Sequence, residues 1–333
     1  MSGICGFTGA RNDALLKRMV ECLGHRGPNG TGTYCADDVS LGHCRLSVID
    51  IPNGRQPMTN EDGSVTVVFD GMIYNYRELR YLLESRGHVF ETRSDTEVLL
   101  RLFEEEREQA LQRLIGMFAF AVHDRRKNEL FLARDRIGIR PLYYLHYSDR
   151  FMFASETKAL LAYPDWSPSI NPQAVRDYLA LGYVSGSAGM FSDVKRLEPG
   201  HFLVYRNGHM RNIRYWEPLP YDGPYHEGEV YFEEFEELME LSVSRRMMSD
   251  VSFGVHLDGG LDSSVIMALT SRFSAGSCKA FSATYEGGES SGDAARTAGL
   301  LGCDHTEISY GANDVAELPA IVYHMDDPLG DPD

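Results

Sequence analysis

The sequence of 333 residues lacks any apolar run near the roughly 18 residues that a membrane-spanning helix needs. It also lacks an excess of positive charge: it has 32 Lys and Arg and 49 Asp and Glu, and the formal net charge is −17. A charge of that sign disfavours binding to nucleic acid or to acidic membrane surfaces. We therefore expect neither nucleic acid nor a membrane among the partners.

Cysteine is scarce, and its spacing excludes a common type of site. None of the six cysteines forms a Cys-x-x-Cys pair, the spacing of many metal and redox sites. The N-terminal segment also lacks the basic region and apolar stretch of a secretion signal. Both absences predict free thiols in the reducing environment of the cytoplasm.

The composition is that of a globular protein, with 43% hydrophobic and 24% charged residues, and the length predicts about two domains. Residues 1–215 alternate short β-type runs with turn signals, and helical patterns cover residues 76–86 and 95–108. Ser94 is the expected N-cap of the second helix, with Glu97 three residues later. The predicted strands are 65–69, 118–122, 130–133, 142–145 and 151–154.

The Pro- and Gly-rich segment 216–228 predicts a linker. After it, a helical pattern reaches residue 249, a strand–loop–helix pattern covers 251–274, and a strand and a helix follow at 278–285 and 292–301. This alternation predicts a parallel α/β sheet. The region from 229 to 333 has room for two or three strands, so we expect a fragment of a longer protein or a second half that has lost part of its length.

Residues 255–264, Val-His-Leu-Asp-Gly-Gly-Leu-Asp-Ser-Ser, are the most informative segment. An apolar strand runs into a Gly-Gly turn, and an aliphatic helix follows. Such a loop directs backbone N–H groups and a helix N-terminus at one point, which suits a phosphate group. Asp258 opposes that use, because a carboxylate repels a phosphate unless a metal ion lies between them.

This segment resembles the pyrophosphate loop of ATP pyrophosphatases, in the Gly-Gly-Leu-Asp-Ser-Ser form of asparagine synthetases. Further segments resemble the same family: His-Arg-Gly-Pro-Asn-Gly at 25–30, Leu-Gly-His-Cys-Arg-Leu-Ser-Val-Ile-Asp at 41–50, Arg-Asp-Arg-Ile-Gly-Ile-Arg-Pro-Leu-Tyr-Tyr at 134–144, and Arg-Met-Met-Ser-Asp-Val at 246–251. By these segments the chain is identified as a member of the glutamine-dependent asparagine synthetase family.

The resemblance implies a two-domain α/β protein. Residues 1–215 are expected to form an αββα sandwich of two antiparallel sheets, a class II glutamine amidotransferase domain of the N-terminal-nucleophile type. Residues 229–333 are expected to be the N-terminal part of a parallel α/β ATP-pyrophosphatase domain. The implied ligands are ATP and Mg²⁺, with glutamine or ammonia and aspartate or a related carboxylate as substrates, and the implied assembly is a homodimer.

Three glutaminase positions depart from the family pattern. Ser2 occupies the position of the nucleophilic cysteine, and a hydroxyl is a far weaker nucleophile than a thiol at neutral pH. Asp70 replaces the oxyanion-binding asparagine next to Gly71, and loss of such a donor costs about 10²–10³ in rate. Met72 replaces a glutamate that holds the substrate ammonium group.

Other glutamine-binding positions are retained. By resemblance, Arg45 holds the substrate α-carboxylate, Asp95 holds the ammonium group, and Leu46 and Val48 complete the pocket. Because the three substitutions affect three separate catalytic roles, we expect the glutaminase domain to keep its fold but to hydrolyse glutamine poorly.

The nucleotide half combines retained and altered positions. Asp262 and Asp331 match Mg²⁺ ligands, Asp326 and Asp327 resemble an acidic catalytic cluster, and Ser290 and Ser291 replace an acidic pair. The expected ATP-binding residues are Leu257, Asp258, Gly259, Gly260, Asp262, Ser263, Ser264 and Ala283.

Three functions remain open on the sequence alone. The first is an asparagine synthetase-type ligase. The second is a ligase that uses free ammonia or an amine of the substrate itself, as in the β-lactam synthetase branch. The third is a truncated or catalytically silent member of the family that acts as a binding subunit.

Overall fold

The computed structural model describes residues 1–220, 223, 228–274, 278–286 and 292–326. The chain divides into two compact units. The first comprises Met1–Leu219 with Val322–Asp333, and the second is Pro220–Ile321. Within the described ranges, no helix is both long and apolar enough to cross a membrane.

Two six-stranded antiparallel sheets form the first unit. One has the strand order β10-β8-β9-β1-β3-β2, and the other has the order β12-β11-β7-β6-β5-β4. The strands are β1 (Gly3–Thr8), β2 (Thr31–Cys35), β3 (Val39–Cys44), β4 (Met58–Thr59), β5 (Val65–Ile73), β6 (Gly116–Asp124), β7 (Glu129–Arg134), β8 (Tyr143–Tyr147), β9 (Arg150–Ala154), β10 (Val194–Arg196), β11 (His201–Arg206) and β12 (His209–Arg214).

The two sheets pack face to face, and helices cover their outer faces. Alternate residues of β1 separate the two layers: Ile4 packs between the sheets, whereas Cys5 and Phe7 face helix α1. The first unit is therefore the predicted αββα sandwich. Its helices are α1 (Asp13–Cys22), α2 (Tyr76–Ser85), α3 (Asp95–Glu106), α4 (Ala110–Arg113), α5 (Thr157–Leu160) and α6 (Pro172–Leu181).

Helix α3 begins at the predicted cap. The Ser94 hydroxyl accepts a hydrogen bond from the Glu97 N–H at 3.2 Å. The Glu97 carboxylate does not return to Ser94 but accepts hydrogen bonds from the N–H groups of Glu91 and Thr92, at 2.9 and 2.6 Å. The cap therefore lacks the reciprocal bond of a capping box and ties the preceding loop to the helix instead.

The second unit contains a three-stranded sheet in the order β13-β14-β15, and both strand pairs are parallel, as predicted. Its small core comprises Leu257, Met267, Cys278, Ala280, Ala294 and Ala298. The elements are α7 (Gly228–Arg246), β13 (Gly254–His256), α8 (Leu261–Phe273), β14 (Lys279–Tyr285), α9 (Asp293–Leu300) and β15 (Asp304–Tyr310). Helix α10 (Leu318–Met325) follows.

Candidate active site

One cavity of the first unit collects every glutaminase position named from the sequence. The wall also contains seven residues that the motifs did not assign to the site: Met1, Ile49, Gly54, Gln56, Phe69, Thr96 and Arg140. The predicted residues in the wall are Ser2, Arg45, Leu46, Val48, Asp70, Gly71, Met72 and Asp95. Their individual catalytic and binding roles remain predictions.

Adjacent ends of the two sheets place these residues. Ser2 directly precedes β1, residues 70–72 belong to β5, and Asp95 is the first residue of helix α3. Gly71 has φ of +155°, and a Cβ there would lie 2.1 Å from the Met117 carbonyl oxygen of the neighbouring strand. Only glycine therefore allows β5 and β6 to approach this closely at the cavity.

Arg26 fixes the N-terminal segment. Its Nε donates to the Ser2 carbonyl oxygen at 2.7 Å, while the Ser2 Oγ accepts from the Leu46 N–H at 3.1 Å. Ser2 is therefore held from both its backbone and its side chain, with the hydroxyl in the cavity wall.

Asp70 is fully buried and lies between two guanidinium groups. Arg26 Nη2 donates to Asp70 Oδ2 at 2.9 Å, and Arg140 Nε lies 4.0 Å from Asp70 Oδ1. Burial raises the pKa of Asp70 above its ordinary value, against the opposing effects of Arg140, Arg26 and the terminal amine. A carboxylate paired in this way accepts hydrogen bonds and offers no N–H to a developing oxyanion.

The contacts of Arg26 extend to a second buried carboxylate. Arg26 Nη1 donates to Glu156 Oε1 at 2.9 Å, and Lys158 Nζ donates to Glu156 Oε2 at 2.5 Å. Burial alone would raise the pKa of Glu156, but the hydrogen bonds from Lys158 and Arg26 outweigh it and the pKa is lowered. Arg26 belongs to the family-like segment at 25–30, whereas no sequence signal indicated that Glu156 lies near the site.

The predicted carboxylate clamp is held by its own loop. Arg45 Nη1 donates to the Ile51 carbonyl at 2.7 Å, and Nη2 donates to the Asp50 carbonyl at 2.8 Å and to that of Ile49 at 3.3 Å. Burial lowers the pKa of Arg45 from its ordinary value. The guanidinium is thus oriented at the cavity by backbone acceptors, which keep its charge in place for an anionic group.

Asp95 is a second buried carboxyl group of the cavity. Its Oδ2 accepts from the Ile73 N–H at 3.1 Å, and the residue is 5% exposed. Burial raises the pKa of Asp95 to about 6, against the hydrogen bonds from backbone N–H groups. The carboxylate therefore gains its charge close to neutral pH, where it can attract an ammonium group.

In the second unit, the loop between β13 and α8 has the geometry expected for a phosphate site. Gly259 has φ of +89°, and a Cβ there would lie 2.9 Å from Asp293 Cβ. Gly260 is the N-cap of α8, so the positive end of that helix begins in the loop. Among the other predicted ATP-binding residues, Leu257 is buried, whereas Asp262 and Ala283 are exposed.

The Asp258 carboxylate accepts hydrogen bonds from two donors of this loop that could otherwise bind a phosphate. Its Oδ1 accepts from the Gly260 N–H at 2.8 Å and from the hydroxyl of Ser263. These hydrogen bonds lower the pKa of Asp258. The Ser264 hydroxyl turns to the Gly260 carbonyl oxygen at 2.6 Å. A phosphate that enters the loop must replace the Asp258 carboxylate at these donors.

The predicted Mg²⁺ pair, Asp262 and Asp331, is only half covered by the described residues. These residues include no group of three or more His, Cys, Asp or Glu side chains that could hold a metal ion. Asp327 and Asp331, as well as Ser290 and Ser291, lie outside the described residues. A magnesium site at Asp262 therefore remains a prediction.

Asp326, the other acidic residue of the cluster, belongs to the first unit. Its carboxylate accepts from the N–H groups of Thr157 and Lys158, the latter at 3.0 Å, and lies 3.6 Å from Lys158 Nζ. Burial raises the pKa of Asp326 despite these contacts. In this structure the carboxylate therefore caps α5, and a role at a metal remains a prediction.

Comparison with known proteins agrees with the predicted fold and family. Residues 1–216 match the family described as glutamine amidotransferase domain, and residues 234–333 match asparagine synthase. The fold resembles glutamine phosphoribosylpyrophosphate amidotransferase from B. subtilis, with a TM-score of 0.50, 22% identity, and coverage of 65% of this chain and 50% of that one. The first unit is thus a glutamine amidotransferase domain.

The relatives define the family further. Asparagine synthetase [glutamine-hydrolyzing] 1 of Bacillus subtilis is 37% identical over 343 residues, 99% of this chain and 54% of the relative. Asparagine synthetase [glutamine-hydrolyzing] 2 of Arabidopsis thaliana is 33% identical over 98% of this chain and 54% of the relative. The chain belongs to the glutamine-hydrolysing asparagine synthetase family, and it spans about half the length of these relatives.

The raised pKa of Asp95 predicts a pH-dependent stability difference between the protein and its Asp95→Asn variant. The folded state favours the protonated carboxyl, so this stabilisation is complete below the ordinary pKa of 3.8 and is lost as pH rises through about 6. Between pH 4.5 and 7.5, the variant should gain about 1–3 kcal/mol relative to the parent, measured by urea unfolding. The exposed Asp37→Asn is the control, and a pH-independent difference for Asp95→Asn would contradict the assignment.

Replacement of Asp258 by Ser should strengthen nucleotide binding. The variant frees the Gly260 N–H and the Ser263 hydroxyl and removes a like charge facing the phosphates. We expect ATP affinity to rise about tenfold, equivalent to about 1.4 kcal/mol, measured by calorimetry. The exposed Asp304→Ser in the same unit is the matched control. Weaker binding by Asp258→Ser would mean that Asp258 assists the nucleotide, for example through a cation.

Proposed function

We propose that this protein is an ATP-dependent amide ligase of the asparagine synthetase type. The β-carboxylate of aspartate attacks the α-phosphorus of ATP and pyrophosphate leaves. Ammonia then attacks the acyl-adenylate, and AMP leaves with formation of the amide of asparagine. The family match over both halves supports this reaction, together with the loop at residues 257–264, whose donors are of the kind that bind phosphate.

The Arg26–Asp70 pair is the observation that supports our proposal for the nitrogen source. The cavity collects the retained carboxylate clamp Arg45 and the retained acid Asp95, so it can still recognise an amino acid. At the oxyanion position, however, it holds a buried carboxylate in an ion pair. We infer that glutamine binds in the cavity but is hydrolysed slowly, and that free ammonia is the more effective donor.

The same observation favours a second candidate function. A ligase that takes nitrogen from ammonia or from an amine of its own substrate needs no glutaminase. The replacement of a thiol by Ser2, of an amide by Asp70 and of a carboxylate by Met72 is consistent with that use of the scaffold. The two candidates differ in the carboxylic acid that becomes adenylated.

Further properties follow from the ligase proposal. Mg²⁺ is expected to accompany ATP, with Asp262 as a candidate ligand in the first turn of α8. The cytoplasm supplies ATP, aspartate and ammonia together, and the six cysteines are free thiols, as such a location requires. A homodimer is the proposed assembly.

The test measures AMP and asparagine from ATP and aspartate, with either ammonium or glutamine as nitrogen source. We expect product with ammonium. With glutamine, the rate of product formation should be lower by a factor of roughly 10² or more, since the nucleophile and an oxyanion donor are both replaced. The triple variant Ser2→Cys, Asp70→Asn, Met72→Glu should recover the glutamine-dependent rate by that factor. The control is the surface variant Asp37→Asn.

Each contrary result is specific. Glutamine hydrolysis by the unaltered protein at about 1 per second or faster would contradict the impaired glutaminase. AMP formation only with another carboxylic acid would favour the second candidate. No nucleotide turnover with any nitrogen source would contradict the ligase proposal and indicate a catalytically silent protein.

A further inference from the structure

A second cavity lies in the first unit and shares no lining residue with the cavity around Ser2. Its volume is about 580 Å³, which falls within the range of roughly 300–1,000 Å³ that small-molecule sites occupy. Its wall is formed by the turn after β7, the loop at residues 183–186, the turn between β10 and β11, and the segment after β12.

The wall of this cavity is basic in an acidic chain. Four arginines line it, against two glutamates, although the chain as a whole has a net charge of −17. One of the glutamates, Glu217, is paired with Arg214 at 2.7 Å, and the other, Glu198, lies 3.7 Å from His201. A local excess of cations in such a chain attracts small anions rather than the polyanions that its net charge repels.

Arg134 forms a rigid part of the wall and is not available to a ligand. Its three guanidinium nitrogens donate to the carbonyl oxygens of Arg140, Leu197 and Gly138 at 2.6–2.7 Å. Burial lowers the pKa of Arg134, and the nearby charge of Arg196 lowers it further. An anion in the cavity would relieve this repulsion between two cations.

Arg136 has a donor that its contacts leave unused. Its Nη2 donates to the Gln112 carbonyl at 3.2 Å, while its Nε is buried without a hydrogen-bond partner in the described part of the chain. Arg196 packs on the Tyr143 ring, with its guanidinium carbon 5.4 Å from the ring centre. Both side chains carry a planar fork that suits the oxygens of a phosphate group.

Aromatic and aliphatic side chains complete the cavity. Trp216 is half-buried, and its backbone N–H donates to the Gly200 carbonyl at 3.2 Å. Gly200 has φ of +67°, and a Cβ there would lie 2.5 Å from the Trp216 carbonyl oxygen, so this turn fixes the tryptophan backbone. Tyr183 and Ile137, also in the wall, are 61% and 67% exposed. Such surfaces accept the flat face of a ring.

We propose that this cavity binds a free nucleotide, with the phosphate at Arg136 and Arg196 and the base against Trp216. The arginines would recognise the phosphate of the ligand, and the tryptophan would stack against its base. The site shares no residue with the ATP loop of the proposed ligase reaction, so it would act as an additional, non-catalytic nucleotide site.

Tryptophan fluorescence provides a local readout for this site. The chain has two tryptophans, and Trp166 is 5% exposed with its Nε1 donating to Asp193 at 3.1 Å, so Trp216 is the one that a ligand can reach. AMP is the probe. We expect a saturable fluorescence change with AMP, and about tenfold or weaker apparent affinity for adenosine and for inorganic phosphate, each of which lacks one recognised part.

The variant Arg136→Gln should weaken AMP binding by about tenfold or more, since it loses a charge-assisted hydrogen bond. The exposed Arg18→Gln on α1 is the matched control and should bind AMP like the parent. No saturable change, equal affinities for AMP and inorganic phosphate, or equal affinities of the two variants would each overturn the proposal. Such a failure would leave the ligase proposal untouched, since neither tryptophan lies at residues 257–264.

Discussion

The buried guanidinium of Arg26 is the group on which the candidate glutaminase site depends. It is 7% exposed and donates to the Ser2 carbonyl, to Asp70 and to Glu156, each within 2.9 Å. A buried charge is costly unless it is paired and hydrogen-bonded, so this arginine requires its partners as much as it positions them. The N-terminal segment, the oxyanion position on β5 and the strand end before α5 therefore form a single arrangement.

The two candidate sites share one kind of change. By the motif resemblance, Asp70 in the first unit and Asp258 in the second each place a carboxylate where a neutral polar residue is expected to serve a negatively charged group. In both places the structure accommodates the carboxylate locally: Arg26 pairs with Asp70, and the Gly260 N–H and the Ser263 hydroxyl bond to Asp258. The neighbouring predicted residues are present around both carboxylates, and weaker chemistry at each site remains our prediction.

Much of the fold followed from local pattern, and the site followed from motifs. Short apolar runs between turn signals predicted the strands, because a strand that is buried on both faces has a nearly continuous apolar sequence. The motifs named eight residues that line one cavity, although they come from segments as distant as residues 2 and 95. The partners Arg140 and Glu156 were not predicted, because ion pairs across 70 and 130 residues depend on how strands are arranged in space. The same limit applies to Asp326, whose motif gave no indication that it caps α5.

The most direct test of the role of the Arg26–Asp70 pair is a double-mutant cycle with Arg26→Gln and Asp70→Asn. Denaturant unfolding gives the free energy of unfolding of each protein in the cycle. The cycle isolates the pair, since the contacts of Arg26 with Ser2 and Glu156 are lost equally in both arms. If the buried ion pair organises the site, each single variant should lose about 3–5 kcal/mol, and the coupling energy should be about 2 kcal/mol or more. A coupling energy near zero would mean that Asp70 and Arg26 contribute independently, and it would contradict the account.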